Sequence, residues 1–577
     1  MNILNNRNKI AALLIGALVV GPIACKETFL EVPITGNLTE TQLGTQAGLE
    51  KLLIGVYANL NGRDAWHGGA TNWLWGSIRG GEANKGTNSG DFNSMNPVEN
   101  YAIEPTNSEV AAKWAKSYEG VVRANILIKT ATASTDVSDA VKSRILAESR
   151  FLRGFYYFEL RKNFGMVPYI DESVDGTAAY VIKNDTDVWP KIEEDLKFAY
   201  ATLTPTMSAI GRANKYAAGA LLGKAYLYQK KWADAKTVLD DVVANGVTST
   251  GVKYALHPNF AQLFRLSGEN SAESVFAFQA TGGASNVNNS NQEYAMAFPY
   301  NTLPGNCCGF FQPTFELASS YRVDATGLPL LDNSFRSPAN ELKNDEGITS
   351  ATAFTPDAGL IDPRLDLTIG RRGIPFLDWG PHAGFSWIRD QTYAGPYSPK
   401  KYTYAKAEAT SNDGSGWTPG YTAINFMIIR FSDVLLMDGE AHIMTGDFET
   451  ARTYINMIRT RAGNTASWVK DAGGVANAAN YMIGTYLVPF ASEADALTKL
   501  RFERKLELGL EGHRFYDLIR WGTAAAELNA YLAYDGAKIP SHFLDAQFTV
   551  GKDELLPIPQ RQIDLQTAEV LKQNPNY

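Results

Sequence analysis

The stretch Leu222-Gly-Lys-Ala-Tyr-Leu-Tyr-Gln-Lys-Lys-Trp-Ala-Asp-Ala-Lys-Thr-Val-Leu239 decides the fold. Its Leu222-Gly223, Tyr226, Trp232, Ala235 and Leu239 fall at the spacings of a tetratricopeptide helix pair. Small residues let the two helices approach, and large ones fill the gap between them. A second copy fits the same template: Ala441 takes the place of Ala225, Phe448 of Trp232, Ala451 of Ala235 and Ile455 of Leu239. Asp438 departs from it, standing where the first copy has a leucine. The copies are far apart in sequence, so a helical scaffold interrupted by an insertion over roughly 270–425 is expected.

Working outward, the N-terminal half also reads as helices. Leu43, Ala47, Leu52, Leu53, Val56, Tyr57 and Leu60 recur at helical spacing, as do Leu146, Leu152, Phe155, Tyr156 and Leu160. Between them, residues 62–110 are rich in Gly, Asn and Trp and keep no period, a long excursion of the kind that carries function. The insertion is dense in Gly, Pro, Asn and aromatic residues, among them Tyr294, Tyr300, Phe310, Phe311, Trp379, Trp387 and Trp417. Aromatic side chains on loops over a rigid scaffold have two readings. They are satellite core, or they form a stacking platform on which the apolar face of a pyranose packs.

The first residues place Arg7 and Lys9 ahead of an apolar run from Ile10 to Val20, then Gly21-Pro22-Ile23-Ala24 and Cys25. This is the charged, apolar, small-residue order of a secretory signal, and the run is too short to span a bilayer. A cysteine directly after Ala24 is the site lipoprotein processing modifies, with Pro22 a departure from the usual residue. Residues 1–24 are therefore expected to be a signal peptide and Cys25 the lipid anchor. Loss of the signal removes two positive charges from a chain of net charge −8, which argues against a nucleic-acid surface. No linker divides residues 25–577. One unit is expected: an N-terminal helical part (about 25–270), a loop-rich ligand-binding insertion (about 271–425) and a C-terminal helical part (about 426–577).

Catalytic signatures are few. His67, His257, His382, His442, His513 and His542 lack metal-ligand spacing, so no metal site is expected, although carbonyl-rich loops can hold a structural calcium without a motif. Cys307 and Cys308 are adjacent, and either a local disulfide or two free thiols fits them. Around 499–520, Lys499 and Glu503, Arg504 and Glu507, Arg514 and Asp517, and Asp517 and Arg520 stand three or four apart. This reads as a structural ion-pair network among helix neighbours. Paired carboxylates for glycoside hydrolysis are recognised only in space, and the strand–helix alternation of a barrel is missing.

Several ordered blocks together resemble the SusD/RagB family of outer-membrane nutrient-binding lipoproteins. They are Cys25-Lys-Glu-Thr-Phe-Leu-Glu-Val-Pro33, Arg150-Phe-Leu-Arg-Gly-Phe-Tyr-Tyr-Phe-Glu-Leu160, Asn163-Phe-Gly-Met-Val-Pro-Tyr169, Ile429-Arg-Phe-Ser-Asp-Val-Leu-Leu-Met-Asp-Gly-Glu-Ala441, Ile455-Asn-Met-Ile-Arg-Thr-Arg-Ala-Gly463, Glu511-Gly-His-Arg-Phe-Tyr-Asp-Leu-Ile-Arg-Trp521 and the terminal Leu556-Pro-Ile-Pro559 with Gln573-Asn-Pro-Asn-Tyr577. The resemblance implies a mostly α SusD-like fold with tetratricopeptide-type helix pairs as scaffold and a loop-rich insertion with short strands. It implies a lipid-anchored protein facing the cell exterior that captures oligosaccharides for a SusC-like TonB-dependent transporter, without catalysis or cofactor. Capture of peptides or other nutrients in the same uptake role, a surface glycoside hydrolase and a helical-repeat adaptor are the alternatives. Ligand residues vary across such a family, so the candidates come from the two excursions: Trp66, Trp73, Trp75, Lys85 and Phe92 from the first, and Tyr294, Tyr300, Cys307, Cys308, Trp379 and Trp387 from the second.

Overall fold

Thr45 starts the first helix by accepting a hydrogen bond from the Gly48 amide at 3.2 Å, which satisfies one of the donors a helix start leaves free. Helix α1 then runs Gln46–Ala58. The computed structural model describes residues 43–62, 66–283, 289–301, 307–411, 418 and 420–577, so Cys25, the apolar run before it and Trp417 lie outside the described residues. The buried face of α1 is Leu49, Leu53 and Val56, continued by Leu60. That phase leaves Ala47 exposed and Leu52 half-buried, which corrects the expected face.

The scaffold continues with α2 (Ser108–Ala133), α3 (Asp139–Phe164), α4 (Trp189–Thr202), α5 (Lys215–Tyr228) and α6 (Trp232–Asn245), each packed on the next. Asn107 caps α2 through the Glu109 and Val110 amides, and Asn214 caps α5 through the Ala217 amide. Within the α5–α6 pair, Gly223 makes the close approach: a Cβ there would lie 2.5 Å from the Leu239 side chain. After the insertion come α7 (Phe431–Met444), α8 (Phe448–Ala462), α9 (Glu493–Glu507), α10 (Arg514–Trp521) and α11 (Ala524–Gly536). Helix α7 packs on α6 as well as on α8, so the two repeat copies are neighbours in space. The fold is mostly helical, and among the described residues no helix is long and apolar enough to cross a membrane.

Among the described residues six short strands pair two by two and antiparallel: β1 (Ala83–Gly86) with β3 (Phe310–Pro313), β2 (Ser274–Phe278) with β6 (Phe426–Arg430), and β4 (Ile369–Gly370) with β5 (Ser398–Pro399). In β2–β6, Ser274 faces Arg430 and Phe278 faces Phe426, so the insertion leaves and rejoins the scaffold at one place. The β1–β3 pair joins the first excursion to the insertion. At its end Gly86 has φ 86°, and a Cβ there would meet the Gly309 carbonyl at 2.3 Å, so only glycine fits.

A charge network, buried throughout, ties insertion to scaffold. Five cations, Arg364, Lys401, Arg430, Arg459 and Arg461, interlock with five carboxylates, Glu273, Asp362, Glu503, Glu507 and Glu511. Arg430, at the end of β6, reaches Glu507 at 2.5 Å, Glu511 at 2.7 Å and Glu273 at 2.8 Å. Arg364, in the insertion, reaches Glu503 at 2.6 Å, Asp362 at 2.8 Å and Glu507 at 3.0 Å. Burial alone would push the Glu507 carboxyl up, but Arg461, Arg430 and Arg364 overcome it and hold it well below the carboxylate range.

The expected pairing along one helix is largely replaced by pairing between elements. Lys499 binds Asp495 at 2.6 Å, while Glu503 binds Arg364 and Arg459, and Arg504 binds Asp433 at 2.8 Å and Asp517 at 2.9 Å. Of the expected pairs, Arg520–Asp517 forms, at 2.9 Å, whereas Arg514 reaches out to Glu527 at 3.5 Å. A fully buried charge needs several partners at once, more than one helix neighbour can offer.

Replacing Arg430 with Met takes one cation away from each of three buried carboxylates and is expected to lower the unfolding free energy by about 3–5 kcal/mol, read by urea denaturation. An unchanged midpoint would show the network to be energetically idle. Acid should unfold the chain by the same logic. Burial pushes Glu159, Glu316 and Asp517 up, but Lys113 and Lys162, Lys505 and Arg336, and Arg504 and Arg520 respectively hold each of them at about 2. Their contribution is complete above the unfolded value of about 4 and is lost as pH falls toward 2. The melting temperature is expected to drop steeply over that window.

Candidate functional site

Phe92 is where the two excursions meet. It has a left-handed backbone (φ 46°), a sparsely populated conformation for a bulky residue and one that clusters at functional sites. Its ring lies 6.3 Å from Trp66 and 5.7 Å, edge-on, from Phe310 of β3. Phe310 follows Gly309, where a Cβ would come 3.1 Å from that of Tyr300. The Arg389 guanidinium stands 5.7 Å over the Tyr300 ring, and its Nη1 donates to Asp91 at 2.6 Å and Thr87 at 2.8 Å. Asp91 precedes Phe92, so the contacts close into a circuit. Tyr421 joins it at 6.1 Å from Trp66.

Cys307 and Cys308, in the turn before Gly309, are joined as a disulfide across a cis peptide bond. Phe92 is 38% exposed, the Arg389 and Asp91 side chains about a third, and Trp66, Tyr300 and Cys307 are half-buried. The circuit is thus a rim of apolar rings and one disulfide, with an ion pair set into it.

The surroundings hold this rim in place. Glu293, from the insertion, accepts from the Gly69 amide at 2.9 Å and the Thr71 amide at 3.0 Å, pinning the first excursion from below. His67 meets Glu109 at 2.5 Å. The Thr87 amide donates to the Gly309 carbonyl at 2.6 Å, and the Tyr300 amide to the Trp387 carbonyl at 2.8 Å. The Lys85 ammonium donates to the carbonyls of Asn88 at 2.9 Å and Asp91 at 2.7 Å, which shapes the turn before Phe92. Burial pushes Lys85 down to about 8, against the opposing pull of Glu99 and Asp91.

Of the sequence candidates, Trp66, Phe92, Tyr300 and Cys307 are brought together at the rim. Trp73, Trp75, Lys85, Tyr294, Cys308 and Trp387 are all buried in this structure, beneath the surface on which ligand contact was expected of them. Trp73 packs on His67 and Phe311, Trp75 donates to the His67 carbonyl at 2.7 Å, and Tyr294 packs on Tyr402 and Phe426. Trp387 packs on Phe376 and His382. Their physical role is to stiffen the floor of the rim. Trp379 is half-buried elsewhere, packed on Tyr404 and donating to the Tyr404 carbonyl at 3.0 Å.

Asp91, Arg389 and Tyr421 escaped the sequence reading. No local pattern marks an Asp–Arg pair whose members lie so far apart along the chain. Chemically the rim offers apolar faces for stacking and charged hydrogen-bonding groups beside them. Among the described residues of the circuit the carboxylate is Asp91, which Arg389 engages at 2.6 Å.

A profile of the SusD family matches residues 272–577, and one described as starch-binding associating with outer membrane matches residues 28–227. SusD-like protein P2 of Formosa agariphila is 24% identical over 564 residues, covering 95% of this chain and 96% of the relative. A SusD-like protein of Bacteroides ovatus is 23% identical over 446 residues, 73% of this chain and 67% of its own. Among solved structures, a laminarin binding SusD-like protein superposes with a TM-score of 0.66 at 24% identity, over 92% of this chain and all of its own. Surface glycan-binding protein A from Bacteroides thetaiotaomicron, in complex with laminarihexaose, superposes at 0.60 with 20% identity, over 92% and 100%. At these identities the superpositions establish the shared fold.

Burial separates floor from rim energetically. Trp75→Ala is expected to lower the unfolding free energy by about 3–5 kcal/mol and Phe92→Ala by under about 1.5 kcal/mol, measured by denaturant titration. Equal losses would place Phe92 in the core.

Proposed function

This chain belongs to the SusD/RagB family, and from that premise we propose that it is a non-catalytic glycan-binding lipoprotein which captures oligosaccharides at the cell surface and passes them to a SusC-like TonB-dependent transporter. The observation that carries the reading is the circuit that joins Trp66, Phe92 and Tyr300 through the Asp91–Arg389 pair, with the Cys307–Cys308 disulfide in the turn before Gly309. A pyranose presents an apolar face that sheds water on stacking against an aromatic ring, and a belt of hydroxyls that accept from a guanidinium or donate to a carboxylate. The rim supplies both kinds of partner side by side. Two relatives of the same fold bear names that state laminarin or laminarihexaose binding, and the profile over residues 28–227 is described in terms of starch binding and the outer membrane.

In this reading Cys25 carries the lipid that keeps the chain on the outer membrane. The helical parts, about 25–270 and 426–577, are scaffold, and the insertion between them bears most of the rim. Stacking supplies affinity while Asp91 and Arg389 set orientation.

Affinity electrophoresis through gels containing laminarin or starch tests this. Trp66→Ala and Tyr300→Ala are each expected to weaken retention at least tenfold while the melting temperature stays within a few degrees of the parent's. Arg389→Ala should weaken it less. Retention unchanged in all three variants would overturn the rim as the site, and release of reducing sugar by the purified chain would overturn the non-catalytic reading. Purification with a TonB-dependent transporter from the native membrane tests the partner.

A further inference from the structure

The departure of the second repeat copy from its template has a structural counterpart. Leu222 is buried in the first copy, and its equivalent in the second, Asp438 on α7, has no exposed surface at all. Neither Asp438 carboxylate oxygen makes a well-formed hydrogen bond, and the groups that interact with it are the Tyr454 hydroxyl of α8 and the His442 ring. An unpartnered carboxylate in the core of a repeat is costly, and leucine would pack there without penalty.

What Asp438 faces is specific. One turn further along α7, His442, in the place of Tyr226, lies with its Nε2 3.8 Å from Asp438 Oδ1 and 2.9 Å from Asp240 Oδ1 on α6. Among the described residues this is the one group of three or more such side chains whose ligand atoms all lie within 4.8 Å of one another. The other face of the imidazole is held: Nδ1 meets Asp447 Oδ2 at 3.0 Å, and Asp447 in turn caps α8 through the Thr450 amide. A carboxylate on one ring nitrogen with the other turned toward further ligands is the arrangement that orients metal-binding histidines. Lys236 occupies the second Asp240 oxygen at 2.6 Å and leaves Oδ1 to the cluster. An imidazolium could satisfy Asp240 and Asp447, yet its Nε2 stays 3.8 Å from Asp438, beyond hydrogen-bond length.

We propose that Asp240, Asp438 and His442 bind one divalent transition-metal cation of the zinc type, which joins α6 of the first repeat pair to α7 of the second. Bonds of about 2.0–2.2 Å place tetrahedral ligand atoms about 3.4 Å apart, and the observed 2.9 and 3.8 Å bracket that separation. One imidazole with two carboxylates suits zinc, whereas calcium and magnesium favour all-oxygen shells. Three protein ligands leave a fourth position for water. Asp240, 39% exposed, gives the ion its way in. The role is structural: the ion would brace the junction between the two copies, away from the rim.

The test uses the full chain, stripped with EDTA and dialysed against zinc chloride, with calcium and magnesium chloride in parallel. One zinc per chain is expected, with a melting temperature several degrees higher once free zinc exceeds Kd a hundredfold, and no response to calcium or magnesium. His442→Gln and Asp240→Asn should each weaken zinc binding at least tenfold, and the visible absorption of the cobalt-loaded chain should disappear in His442→Gln. Asp438→Leu, which restores the first copy's residue, should abolish the zinc-induced shift without lowering the zinc-free melting temperature. If Asp438→Leu fails to fold, the other two variants decide. The proposal is overturned if the stripped chain takes up no zinc, if both of those variants bind as well as the parent, or if calcium binds equally.

Discussion

Arg430 and Glu507 are the contact on which the rest of the molecule depends. Arg430 ends the strand that closes the base of the insertion, and Glu507 ends α9, so their 2.5 Å contact fixes where the loop-rich part sits on the helices. Each then recruits others, Arg430 binding Glu273 and Glu511, and Glu507 binding Arg364 and Arg461. Such a network is a weak source of net stability, since apolar residues could fill the same space. What it supplies here is geometry. Each guanidinium has a fixed fork of donors, and with all three nitrogens of Arg364, Arg430 and Arg459 engaged few alternative placements of the insertion leave no buried charge unpaired.

The rim inherits that geometry. Its members come from segments held together by the β1–β3 pairing and by Glu293, which pins the first excursion. The buried Trp73, Trp75, Tyr294 and Trp387 form the stiff layer beneath, so the exposed rings are presented by a floor rather than by free loops. A pre-positioned stacking surface loses little conformational entropy on binding, which is how a shallow, polar-edged site can hold a flexible chain.

The repeat junction follows the same logic on a smaller scale. Where the first copy packs Leu222, the second buries a carboxylate, with the His442 imidazole one turn along the same helix and a second carboxylate, Asp240, from α6. In both places a local rule of packing is broken, and groups from another helix gather where it is broken.

The amino-acid sequence by itself determined the helical scaffold, both repeat copies, the interrupting insertion and the family resemblance. These rest on periodicity and short-range spacing, which a linear string records. It also narrowed the candidate site to two excursions, since long aperiodic stretches rich in glycine and aromatic residues show in composition. It could not sort Trp66 from Trp73 or Trp75, which share one loop and one chemistry, because burial depends on what the rest of the chain lays over them. Nor could it pair Arg389 with Asp91, or bring Asp240 to His442. Glu503, which spacing matched to Lys499, binds Arg364 and Arg459 instead. Partner choice among buried charges is decided by desolvation, which demands several donors from several directions, and only the tertiary structure brings those directions together.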